Sequence, residues 1–92
     1  MSGKYRIVIT KPAQKDKEKI KSLPALKNNV DSLLTILRDN PFQAPPPYER
    51  LQGNFSAYYS RRINRQHRLV YTVDEVERIV KIVSMWTHYE QL

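Results

Sequence analysis

Residues 59–84 read YSRRINRQHRLVYTVDEVERIVKIVS, and their pattern decides the fold. Segments 59–63, 67–73 and 76–84 alternate polar with apolar residues or run in β-branched ones, as strands do when one face packs and the other is open. Asn64-Arg65-Gln66 and Asp74-Glu75 interrupt the runs with turn-forming residues. Three strands joined by two short turns make an antiparallel meander. Period-two alternation also sends Arg61 and Arg62, and likewise His67 and Arg68, to opposite faces, so at most one of each pair can point straight into one cleft.

Upstream, residues 42–48 contain Pro45-Pro46-Pro47, which can neither continue a helix nor sit in a central strand. This stretch is an extended connector that delivers Glu49 to the edge of the meander. Before it, Leu26, Val30, Leu33, Leu34 and Leu37 fall at steps of four, three, one and three, one apolar stripe of a helix that Asp39-Asn40-Pro41 stops. A charged segment from Lys11 to about Lys21 forms an earlier helix, with Pro12 in its first turn, Thr10 as its cap and Pro24 marking the next start. Residues 5–10, YRIVIT, form an N-terminal strand. The order predicts an α+β fold over one domain, residues 1–92: an N-terminal strand and two helices packed on one face of an antiparallel sheet, with the other face left for function.

The formal net charge is +7 and the sequence pI about 9.9, which favours an anionic partner, nucleic acid being the commonest. The charge is unevenly spread. Lysines crowd the first third, where Asp16 and Glu18 alternate with them as on a solvated helix face. Arginines dominate the second half, and no acid occurs from Arg50 to Val73. There is no cysteine, so disulfides and thiolate metal sites are excluded, and two histidines are too few for a convincing zinc site. No apolar stretch approaches the ~20 residues needed to cross a bilayer, and the N-terminus lacks the apolar segment of a signal peptide. A cytoplasmic protein with no membrane contact, metal or cofactor is expected.

Within the acid-free run Arg50, Arg61, Arg62, Arg65 and Arg68 are interleaved with Phe55, Tyr58 and Tyr59, while Glu49 precedes it and His67 and His88 lie just inside and beyond its end. Guanidinium forks match phosphate oxygens, aromatic faces stack on bases, and a carboxylate with an imidazole can move protons. Tyr58, Tyr59, Tyr71 and Trp86 are candidates for stacking, against the ordinary fate of strand aromatics as core.

The segment YERLQGNFSAYYSRRINRQHRLVYTV, residues 48–73, followed by SMWTHY, residues 84–89, resembles the YoeB/Txe branch of the RelE-type toxins, ribosome-dependent mRNA-cleaving partners in bacterial toxin–antitoxin modules. Its N-x-S-x-x-x-S-R-R-I and H-R-L-V-Y elements carry the likeness. The resemblance implies a microbial RNase-like fold, a small homodimer, a YefM/Axe-like antitoxin as inhibitor, the 70S ribosome and mRNA as targets, and operator DNA reached only through the antitoxin complex. It assigns the general base to Glu49, transition-state stabilisation to Arg68, the general acid to His88, phosphate contact to Arg62, and positioning of base or phosphate to Tyr89. Arg61, Arg65 and His67 belong to the same phosphate-binding set. For His67 a packed, hydrogen-bonded ring on the face of Leu69, Tyr71 and Val73 is the competing role. Two features depart from the family pattern: Gln52 replaces a lysine, and Glu90-Gln91-Leu92 extend the chain past the tyrosine.

The expected activity is therefore metal-independent endoribonuclease chemistry, with the 2′-hydroxyl of RNA as nucleophile. The alternative is a non-catalytic basic module that binds ribosome, RNA or antitoxin. A DNA-binding repressor is a weaker third reading, because no helix-turn-helix signature is present.

Overall fold

The computed structural model describes residues 4–53 and 57–86. Its elements are β1 (Arg6–Ile9), α1 (Lys11–Lys21), α2 (Pro24–Asp39), β2 (Glu49–Arg50), β3 (Tyr59–Arg62), β4 (Arg68–Asp74) and β5 (Ile79–Ser84). The strands form one sheet in the order β1-β5-β4-β3-β2. The α+β class and the two-helix layer are as the sequence implies. The sheet differs in two ways from the antiparallel one expected.

First, β1 runs parallel to β5, with Arg6 opposite Ile79 and Ile9 opposite Ile82, so the sheet is mixed. Parallel pairing brings the end of β1 beside the end of β5, and α1 then packs on β5 as it leaves the edge. Thr10 holds that corner by an unexpected bond. Its hydroxyl donates to the Ile82 carbonyl at 2.8 Å and makes no side-chain cap on α1. Second, the end of the proline connector is itself a short strand, with Glu49 opposite Ser60 and Arg50 opposite Tyr59.

The meander forms as expected, with β3 and β5 shorter than the expected segments and β4 shifted by one residue so that it takes in Asp74. Asn64 accepts the Gln66 and His67 backbone N–H groups at 2.8 and 2.7 Å, and Asp74 accepts those of Val76 and Glu77 at 3.0 and 2.9 Å. Both turns are thus organised by a side chain that mimics a backbone acceptor. The second takes in Glu75 to Arg78, which has φ 57, so β5 starts at Ile79 instead of residue 76.

The α2 stripe is buried in full, Leu26, Val30, Leu33, Leu34 and Leu37 lying with Ala13 and Ile20 of α1 against Leu69, Tyr71, Val80 and Ile82 of the sheet. Each such aliphatic side chain stabilises the fold by roughly 1.5–3 kcal/mol. The α1 acid Asp16 is not simply a solvated residue. Half-buried, it accepts the Met85 N–H at 3.0 Å and the Ser84 hydroxyl at 3.4 Å, tying the helix to the end of β5.

Candidate active site

The residues that alternate away from the helices converge at the β2–β3–β4 end of the open sheet face. Cross-strand register sets Glu49 opposite Ser60 and Arg62 opposite Arg68. Arg68 Nη1 lies 3.3 Å from Glu49 Oε1 and 3.4 Å from Ser60 Oγ. The Arg68 side chain is 18% exposed and that of Glu49 61% exposed, so the carboxylate remains reachable from solvent while its partner is largely walled in. The pair opens onto a cleft of about 510 Å³ whose lining includes Pro47, Ser60, Arg62 and Arg65. Three guanidinium groups against one carboxylate leave the cleft with a net positive charge, chemistry suited to an anion.

Arg61 and His67 stand elsewhere. Arg61 is 1% exposed and points to the helix side, where Nε donates to the Tyr71 hydroxyl at 3.1 Å, Nη1 to the Pro46 carbonyl at 2.7 Å, and Nη2 to the Pro41 and Gln43 carbonyls at 2.9 and 2.8 Å. A phosphate in the cleft cannot reach a fork so occupied, and the phosphate-contact expectation for Arg61 is corrected. The signal was present in the sequence. Alternation puts Arg61 on the face of Leu69 and Tyr71, its neighbours across the strand and along the next one.

The His67 ring stacks on Trp86, with centroids 4.3 Å apart and planes at 26°, and Nδ1 donates to the Trp86 carbonyl. Because a carbonyl only accepts, that nitrogen carries a proton. The ring belongs to the packed role, and the Trp86 indole it stacks on also has the Lys19 ammonium 5.5 Å from its centroid. Tyr59 likewise stacks on Tyr71, at 5.7 Å and 27°. Tyr59 and Trp86 thus each give a ring face to a protein neighbour, and Tyr71 is buried in the core.

Burial pushes the Tyr71 hydroxyl above its ordinary pKa, with the Arg61 charge and hydrogen bond opposing the shift in part. Tyr71 stays protonated and donates to the Pro41 carbonyl at 3.0 Å. His88 and Tyr89, expected as acid and positioning residue, lie outside the described residues. Among the described residues no three His, Cys, Asp or Glu side chains group as metal ligands, and no helix is long and apolar enough to cross a membrane.

A helical hairpin on one face of a five-stranded mixed sheet, with an acid–arginine cleft on the other, defines a small α+β protein with a cationic, helix-free face. A YoeB/ParE toxin from Agrobacterium tumefaciens superposes with a TM-score of 0.84 at 26% identity, over 91% of this chain and 99% of that one. The YoeB dimer from Staphylococcus aureus gives 0.78 at 34% identity, over 94% and 99%, and the YoeB-YefM complex from the same organism gives 0.77 at 34%, over 92% and 98%. Toxin YoeB of Synechocystis is 38% identical over 66 residues, 72% of this chain and 74% of that protein. The chain belongs to the YoeB-like toxins of bacterial type II toxin–antitoxin systems, whose family model matches residues 13–89.

Proposed function

We propose that this toxin is an endoribonuclease that cuts mRNA in the ribosomal A site and is neutralised by a cognate antitoxin. The observation that carries the reading is the Glu49–Arg68 pair, 3.3 Å apart at the mouth of an arginine-lined cleft on the helix-free face. RNA supplies its own nucleophile. Glu49 takes the proton of the 2′-hydroxyl, the freed oxygen forms a bond to the adjacent phosphorus in line, and the bond to the 5′-oxygen breaks. Negative charge grows on the phosphoryl oxygens as the new bond forms, and Arg68 and Arg62 stabilise it more than they stabilise the ground state. His88 gives its proton to the leaving 5′-oxygen, and Tyr89 positions base or phosphate.

Ser60 makes the base–arginine pair a triad: its hydroxyl, on the residue opposite Glu49, shares the Arg68 guanidinium and limits the rotamers that group can take. Arg65, exposed at the turn beside the cleft, contacts phosphates outside the reacting one and contributes association more than rate. The reaction needs no metal, since neither nucleophile nor leaving group requires one. We infer further that the chain acts as one cytoplasmic domain, as a homodimer, and with a YefM/Axe-like antitoxin whose acidic segment complements the +7 charge. The solved dimer and complex of the Staphylococcus aureus relative support these partners, and operator DNA is reached through the complex.

The test is to incubate the purified chain with ribosomes translating a defined message, with and without a chelator at concentrations that keep ribosomes intact, and to map both new ends. The expected products are an upstream 2′,3′-cyclic phosphate or 3′-phosphate and a downstream 5′-hydroxyl. A 5′-phosphate would refute attack by the 2′-hydroxyl and point to an activated water. Ribosome binding without any cleavage would leave a binding module.

A further inference from the structure

The connector between α2 and β2 cannot hold its own shape. Pro41, Pro45, Pro46 and Pro47 carry no backbone N–H, so its carbonyl groups find too few partners within the segment and need a donor from elsewhere. Arg61 is that donor. One planar fork reaches the Pro41, Gln43 and Pro46 carbonyls together, while the Tyr71 hydroxyl accepts from Arg61 Nε and donates to the Pro41 carbonyl. The guanidinium also lies 4.9 Å from the centre of the Tyr48 ring, and the Tyr48 and Phe42 rings pack edge-on against Tyr59 at 6.0 and 5.4 Å. Among the described residues no carboxylate pairs with this buried cation. Its charge is balanced by carbonyl dipoles, an arrangement only a rigid, multidentate donor satisfies.

Glu49 follows directly. It lies three residues after Pro46 and one after Tyr48, in a strand of two residues that is tied to β3 by its pairing with Ser60 and Tyr59 and by the Leu51 N–H bond to the Tyr58 carbonyl. So short a strand does not fix its own entry angle. We propose that Arg61, acting with Tyr71, is a positioning residue for RNA cleavage: by anchoring the proline connector it sets where the Glu49 carboxylate stands relative to Arg68. The inference rests on the reading of the cleft as the cleavage site. Because Arg61 sits between Ser60 and Arg62 on β3, one strand spaces the base and the phosphate-binding groups from its two faces.

The experiment compares Arg61→Met, Arg61→Lys and Tyr71→Phe with the parent protein, each also in a Glu49→Gln background, by single-turnover cleavage on programmed ribosomes below the melting temperature of every variant. A misplacement of about 1 Å in a reacting group can cost ~10²-fold in rate. Arg61→Met is expected to lower the rate at saturating ribosome by that order with the half-saturation concentration unchanged, and Tyr71→Phe, which keeps the core ring, by a smaller factor of the same kind. In the Glu49→Gln background both losses should vanish, since there is no base left to misplace. Arg61→Lys keeps charge without the fork and should rescue little of the rate.

A rate for Arg61→Met and Tyr71→Phe within roughly threefold of the parent, or an equal loss in both backgrounds, overturns the proposal. Amide hydrogen exchange without RNA separates its failure from that of the cleavage reading. Faster exchange at Leu51 in the variants, by a larger factor than the rise at Val80 and Ile82 that lower global stability brings, is expected if Arg61 holds β2. Unaltered exchange at Leu51 overturns the anchor even where the parent cleaves, and a parent that cleaves nothing overturns the cleavage reading and with it Arg61's part in the chemistry.

Discussion

Arg61 and Arg62 are neighbours on β3 with the same side chain and opposite environments. The first turns toward the helices, is 1% exposed and spends its fork on three connector carbonyls and a tyrosine hydroxyl. The second turns to the open face, is exposed, and lines the cleft opposite Arg68. Sheet alternation alone produces this division, because successive side chains leave a strand on opposite sides. The consequence is a molecule whose two sheet faces respond to mutation in different ways. On the proposed reading the helix side carries stability and the placing of the connector, while the open side is where an anionic substrate is bound and cut.

The hardest blow to that division would come from the open face. Glu49→Gln and His88→Gln are each expected to lower single-turnover cleavage by ~10² to 10⁴-fold, the usual contribution of a general acid or base, with melting temperature and ribosome affinity nearly unchanged. Activity within roughly threefold of the parent for both would remove acid–base catalysis from this face.

Stability provides the next contrast. Arg61→Met strands the connector carbonyls and should cost about 2–4 kcal/mol, a fall in melting temperature on the order of 10 °C or more for a chain of this size. Arg62→Met should stay within about 0.5 kcal/mol of the parent. Chemical denaturation of the two variants side by side decides it, and equal losses would mean that β3 does not divide the faces energetically.

Within the cleft, Arg68→Ala should depress the chemical step far more than affinity, because its interaction grows with transition-state charge. Arg65→Ala should mainly weaken association and reduce the slope of log affinity against log salt by about one. Titrations at several ionic strengths, read together with rates at saturation, would expose an exchange of these roles.

The smallest expected effect concerns pH. Burial raises the folded-state pKa of Tyr71, so its contribution to stability is whole below the ordinary tyrosine pKa of about 10 and is lost as pH rises through the raised value. Relative to the parent, Tyr71→Phe should be less stable at neutral pH and lose stability less steeply in alkali. Parallel stability curves for the two proteins above pH 10 would show that Tyr71 is not the group involved.

What the chain determined by itself is its local grammar. Periodicity in 26–37 and 59–84, and prolines where a helix or central strand cannot go, set the element types, because these preferences act within a few residues. The quoted motifs also identified the toxin family before any distance was known. Tertiary structure alone decided the parallel pairing of β1 with β5, the short strand at Glu49, the Thr10 bond to Ile82, and the attachment of Asp16 to Met85. These join residues as far apart as 73 positions, Arg6 and Ile79, and no local preference encodes which distant partner a donor or a strand edge will meet. Arg61 marks the boundary between the two. Alternation says that it faces inward, but only the packed connector says which carbonyls await it there, because a proline-rich segment must borrow donors from whatever strand the fold brings beside it.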